Sequence, residues 1–173
     1  MSTPTARDKN ILTPSERVGE VVGVTVIWLL IAFFVYHQVT NTGFFTSRFG
    51  PLEEFLFYGA ALIGMAAPIV RAVTGRRKTA RWFELGSGIF WAITSAWLLF
   101  IFPFNFTHLA DALPRFLEFT LSWVTDFVGR AVLVLSLLGS IASIFYQAVK
   151  IAQERVGVQG IRSEPEKKLS PNV

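Results

Sequence analysis

Residues 21–39 read VVGVTVIWLLIAFFVYHQV, nineteen positions without one formal charge, closed at the far end by the polar group Tyr36, His37 and Gln38. At 1.5 Å per residue, a helix of this length just crosses a hydrocarbon layer about 30 Å thick. Upstream, Thr13-Pro14-Ser15-Glu16 has the form of a capping box. Thr13 can accept a first-turn amide, Pro14 suits the first helical position, and Glu16 can reach back to the cap N–H. A helix is predicted to start there and to carry a first membrane span over about 18–40.

The same pattern returns three times. Pro51 opens a helix with Glu53 and Glu54 in its first turn, where the helix dipole favours carboxylates. The uncharged run Phe55 to Val70 follows, and Pro68 is expected to bend or end it; this is span 52–73. After Glu84, a run from Leu85 to about Phe102 stops at Pro103, giving span 83–103. The cleanest late run is Ala131 to Val149, giving span 129–151.

The stretch before that fourth span needs dividing. An unbroken helix from Arg115 to Gln153 would be about 60 Å long, twice the hydrocarbon thickness. Asp111 is a candidate cap and Pro114 a first-turn residue. Residues 114–128 are therefore predicted to form an interfacial amphipathic helix. Residues 1–13 and 154–173 read as polar tails, the latter with Pro165 and Pro171 and expected to be disordered.

Composition agrees with lipid as the solvent. Apolar residues make up 52% and charged residues only 16%, with mean hydropathy +0.49. A disordered chain needs the opposite balance, and soluble domains carry roughly a quarter charged residues. The chain has no cysteine, so disulfides, thiolate metal sites and thiol catalysis are excluded within it.

The formal charge of +4 lies beside apolar runs and forms no basic stripe, so no nucleic-acid partner is expected. Three Lys/Arg lie in the N-terminal stretch (Arg7, Lys9, Arg17), five in residues 71–81 and five towards the C-terminus (Lys150, Arg155, Arg162, Lys167, Lys168). Only Arg48, Arg115 and Arg130 fall on the other side. The positive-inside rule then places both ends in the cytoplasm, which requires an even number of spans. The predicted fold class is an all-α integral membrane protein, a four-helix transmembrane bundle with N-in/C-in topology and the extra interfacial helix. The predicted location is the cell membrane.

Four groups of residues are candidates for function. Glu118, Ser122 and Asp126 share one helical face opposite Phe116, Phe119, Trp123 and Phe127. They form either a polar path or the water-facing side of a surface helix. Arg130 stands four residues after Asp126, the spacing of an ion pair. His37 and His108 both fall on the predicted outer side and are the candidate haem or metal ligands. Arg71, Arg76, Arg77, Lys78 and Arg81 could contact anionic headgroups or an acidic partner, although setting topology requires no ligand. Small residues repeat at four (Gly19 and Gly23; Gly88, Ala92 and Ala96; Ser136 and Ser140; Gly139 and Ser143), the spacing of close helix seams, expected to pack within the bundle. Catalytic and nucleotide motifs are missing, and no cofactor is expected.

The four-span layout, with Leu52-Glu53-Glu54-Phe55 opening the second span, resembles the small membrane subunit of TRAP-type solute transporters. The aromatic loop Gly43–Phe49 departs from that family, and no functional residue carries over. The functional expectation is a non-catalytic accessory or scaffold subunit that meets the bilayer and other membrane proteins. A transport or channel component is the alternative.

Overall fold

The structure, a computed structural model, describes the backbone of residues 11–167 and side chains within 11–153. It is helical, and four helices are long and apolar enough to cross a membrane. The first, α1, spans Pro14–Val39 and begins in the predicted capping box: the Thr13 N–H donates to Glu16 Oε2 at 2.9 Å and the Glu16 N–H to Thr13 Oγ1 at 3.4 Å.

The second membrane-length helix is broken in two, α2 over Pro51–Gly64 and α3 over Ala66–Thr74. Pro68 explains the break. It has no N–H to bond the carbonyl four residues back, at Gly64, and its ring crowds that carbonyl. The helix yields at Gly64–Met65, where the Met65 N–H reaches Leu62 instead. Gly75 ends α3 in the left-handed conformation, φ 64°.

Next comes α4, Arg77–Ile101, ended by Phe102 at φ 43° immediately before Pro103. The last helix, α5, runs Asp126–Lys167. It continues through 154–167, where the sequence reading placed the start of a disordered tail. Residues 1–10 and 168–173 lie outside the described residues, and with them most of the predicted N-terminal tail and the end of the C-terminal one.

The stretch before α5 departs from expectation. In place of an α-helix over 114–128 there is a succession of turns with a single 3-10 turn, Glu118–Thr120, up to the start of α5 at Asp126. The Leu117, Thr120, Leu121 and Val124 amides each bond three residues back. Side chains compete for the carbonyls a helix would use: the Thr120 hydroxyl donates to Leu117 O at 2.6 Å and the Ser122 hydroxyl to Phe119 O at 3.1 Å.

In the packing, α4 is central. It lies against α5, α3 and α2, while α1 packs chiefly on α3. Outward faces are apolar, as lipid requires; the most apolar window of α1 contains no buried residue. The dense core sits at one end, in the loops. Phe44, Leu98, Phe102, Phe104 and Leu109 are buried together. Their rings meet mostly edge-on or tilted, with Phe44 touching Phe34, Phe104 and Phe106 at centroid separations of 5.3–5.5 Å. A backbone bridge between Phe45 and Phe104 fixes the two loops, with the Asn105 N–H donating to Phe44 O at 2.7 Å. At the opposite end Ile11 bridges Arg76, and the Leu12 N–H donates to Gly75 O at 2.9 Å.

Candidate functional site

Arg71 stands in the last turn of α3 and would be costly in a bilayer without a counter-charge. It has two. Nε and Nη2 donate to the two oxygens of Glu20 on α1, at 2.6 and 3.0 Å, and Nη1 donates to Glu84 on α4. The planar guanidinium fork suits this double engagement in a way a lysine could not. The other Glu84 oxygen accepts from Gln147 Nε2 on α5. One cluster thus joins all four membrane-length helices, with the ionic side chains about a fifth to a quarter exposed. Nearer the end of the bundle, Arg77 Nη2 donates to Glu16 at 2.5 Å.

Two further cavities lie along the bundle, one beside the clamp and one away from it. The first, about 590 Å³, has a mixed polar and apolar lining. It lies beside Arg71, Glu84 and Gln147 and is walled by Ser136, Ser140 and Ser143 of α5. The second, about 470 Å³, is almost wholly apolar and lies towards the aromatic end. Ile27, Ile31 and Phe34 of α1 face Val128, Val132 and Leu133 of α5 across it. Gly64, Trp91 and Ser136 line both cavities. A Cβ at Gly64 would stand 2.9 Å from Trp91 Nε1, so the missing side chain lets the indole pack directly against α2.

The small-residue seams divide accordingly. Gly88 is packed internally, its Cβ position 3.3 Å from Ile144 Cγ1. Gly19, Gly23 and Gly139 have nothing within 4 Å of theirs. The Gly19–Gly23 seam, expected to pack inside the bundle, is left open.

The predicted candidates fall in several places. His37 is buried, and both ring nitrogens are taken. Nε2 donates to Leu109 O at 3.1 Å, which leaves Nδ1 to accept the Thr42 hydroxyl. His108 bonds Asp111 through Nδ1 at 2.8 Å and lays its ring against Gly43, whose φ is 95°. Both histidines thus make hydrogen bonds within the loop structure, and the two rings have different partners. Among the described residues no group of three or more His, Cys, Asp or Glu side chains is placed to hold a metal ion.

Asp126 accepts from the Phe106 N–H at 2.8 Å, and Arg130 lies over the Phe102 ring at 3.8 Å. The expected Asp126–Arg130 pair is replaced by these contacts. Glu118 and Ser122 are exposed and line neither cavity, and Asp126 lines neither. Of the basic group, Arg71 is held in the clamp, Arg76 forms the backbone bridge and Arg77 bonds Glu16. Arg81 lines the clamp's mouth, and Lys78 lies in the first turn of α4.

No protein-family model, curated protein or solved structure matches the chain. The resemblance of Leu52–Phe55 to the TRAP small subunit therefore gains nothing from comparison. Within this chain Glu53 has local work, accepting from the Gly50 N–H at 3.0 Å and from Trp97 Nε1 at 2.9 Å.

Glu20, Glu84 and Gln147 are the residues that sequence reasoning passed over. It read Glu20 and Glu84 only as borders of apolar runs. The available signal was position: Glu20 lies seven residues beyond the Thr13 cap, already inside a helix, where a carboxylate calls for a partner.

Proposed function

We propose that the chain is a non-catalytic, multi-pass accessory or scaffold subunit of a membrane assembly. Its arginine-rich end faces the cytoplasm, and residues 114–128 lie in the opposite interface with Phe116, Phe119 and Trp123 towards lipid. The observation that carries this reading is the Glu20–Arg71–Glu84–Gln147 cluster, which commits charged groups of the helices to tying those helices together. A proton-coupled or hydrolytic site would need such groups held ready for a substrate. The outer face of α1, with Val18, Val22 and Leu29 exposed, offers a partner an apolar surface.

Solubilisation of the full chain from its own membranes in a mild detergent, followed by light scattering, tests this. A stoichiometric protein partner supports an accessory subunit; a sharp monomer contradicts it. The apolar cavity between α1, α2 and α5 favours a second reading, a transport or channel component.

A further inference from the structure

The apolar chamber has two closed ends and one open side. Towards the clamp Trp91 closes it, the indole packed against Gly64 of α2. At the other end Phe44 and Phe104 of the buried ring cluster close it. Between these ends Leu30 of α1 and Val132 of α5 line the chamber and are nevertheless 51% and 55% exposed. The chamber therefore opens sideways, between α1 and α5, onto the outer surface of the bundle.

In a bilayer such a space calls for an apolar occupant. Wherever no atom faces it, the lining forfeits its dispersion contacts. Water is a poor filler, since apolar cavities of about 150 Å³ already stay dry. Among the described residues the wall carries no charged side chain, and the Tyr58 hydroxyl on it is spent on Gln38 at 2.9 Å. Along α5 the chamber extends from Val128 to Ser136. At 1.5 Å per residue that is a depth of about 12 Å, close to the roughly 15 Å of one leaflet's hydrocarbon. Val128 lies in the first turn of α5, so this depth falls in the half of the bilayer at the aromatic end.

We propose that the chamber holds one acyl chain of a bilayer lipid from that leaflet, inserted sideways between α1 and α5 with its head group left outside. A partner's transmembrane helix does not fit. A leaflet-deep piece of helix, about 10 Å across and 15 Å long, displaces on the order of 1,200 Å³. The chamber holds about 470 Å³, within the roughly 300–1,000 Å³ range of small-molecule sites. With an uncharged wall, the site selects a chain and is indifferent to the head. This goes beyond the accessory reading and does not rest on it.

The test uses the full chain reconstituted in phosphatidylcholine vesicles doped with phosphatidylcholine that carries a photoactivatable diazirine near the middle of one acyl chain. Crosslinks are mapped by peptide mass spectrometry. The expected result is labelling of Leu133, on the chamber wall, as well as of Leu135, exposed on the same helix. Ala61→Trp on α2 and Ile31→Trp on α1 each narrow the chamber and should lower labelling at Leu133 severalfold while leaving Leu135 unchanged; thermal melts establish which variants are folded. A phosphatidylglycerol probe with the same diazirine chain should give the same pattern. The proposal is overturned if Leu135 is labelled and Leu133 is not, if folded narrowed variants label like the parent, or if the pattern follows the head group. A photoreactive phenylalanine analogue in place of Leu133, in the protein's own membranes, should capture lipid; capture of a polypeptide there instead also overturns it. A partner bound elsewhere on the chain bears on the accessory reading alone.

Discussion

Arg71 grips Glu20 through two nitrogens, Nε 2.6 Å from one carboxylate oxygen and Nη2 3.0 Å from the other, while its third nitrogen holds Glu84. Removing the guanidinium leaves two carboxylates facing an empty centre. Breaking a fully buried pair costs about 3–5 kcal/mol, and the partial exposure here reduces that to about 2 kcal/mol for Arg71→Met. Unfolding in detergent measures it. Pairing Arg71→Met with Glu20→Gln should recover at least about 1 kcal/mol relative to the sum of the single changes. Strict additivity would mean that the contact contributes nothing.

The aromatic end is a second, independent source of stability. Phe44 is 1% exposed and central to the ring cluster, so Phe44→Ala should cost about 3–5 kcal/mol. A loss under 1 kcal/mol in the same unfolding assay would show that the loops do not form a packed core.

Gly129 sits directly beneath Phe106, with a Cβ position only 2.0 Å from Phe106 Cε2. A methyl group there must displace the ring, so Gly129→Ala is expected to destabilise by about 1–3 kcal/mol despite alanine's better helix propensity. Combining it with Phe106→Leu should remove most of that penalty. If Gly129→Ala stabilises the protein, the ring does not rest where the structure has it.

His37 is a loop fastener. In His37→Leu the buried Leu109 carbonyl loses its donor, at a cost of about 1–3 kcal/mol. Metal content of the purified protein should be the same before and after the change. A metal that disappears with His37 would restore the ligand reading.

Much of the architecture was legible because membrane helices declare themselves by uncharged length. The Thr13–Glu16 box and the Pro68 break rest on backbone chemistry that neighbours do not override. The stretch after Pro114 was misread because its apolar spacing suits a helix, whereas Thr120 and Ser122 use their hydroxyls on nearby carbonyls. The clamp was not legible, since its members are separated by 13 to 63 positions and only packing brings them together. The aromatic loop at Phe44, Phe45 and Phe49 is visible in the sequence, but its partners Phe102, at the end of the third span, and Phe104, in the loop that follows, are distant in the chain and meet it only in the packed fold.

The central claim is a four-span bundle with its arginine-rich end in the cytoplasm, and the natural absence of cysteine makes it directly measurable. Single cysteines at the exposed positions Ser15, Thr79 and Ser122 can be labelled in intact cells with a membrane-impermeant maleimide. The account predicts that only Ser122→Cys reacts from outside and that Ser15→Cys and Thr79→Cys react once the cells are opened. Labelling of Thr79→Cys and Ser122→Cys from the same side would contradict it.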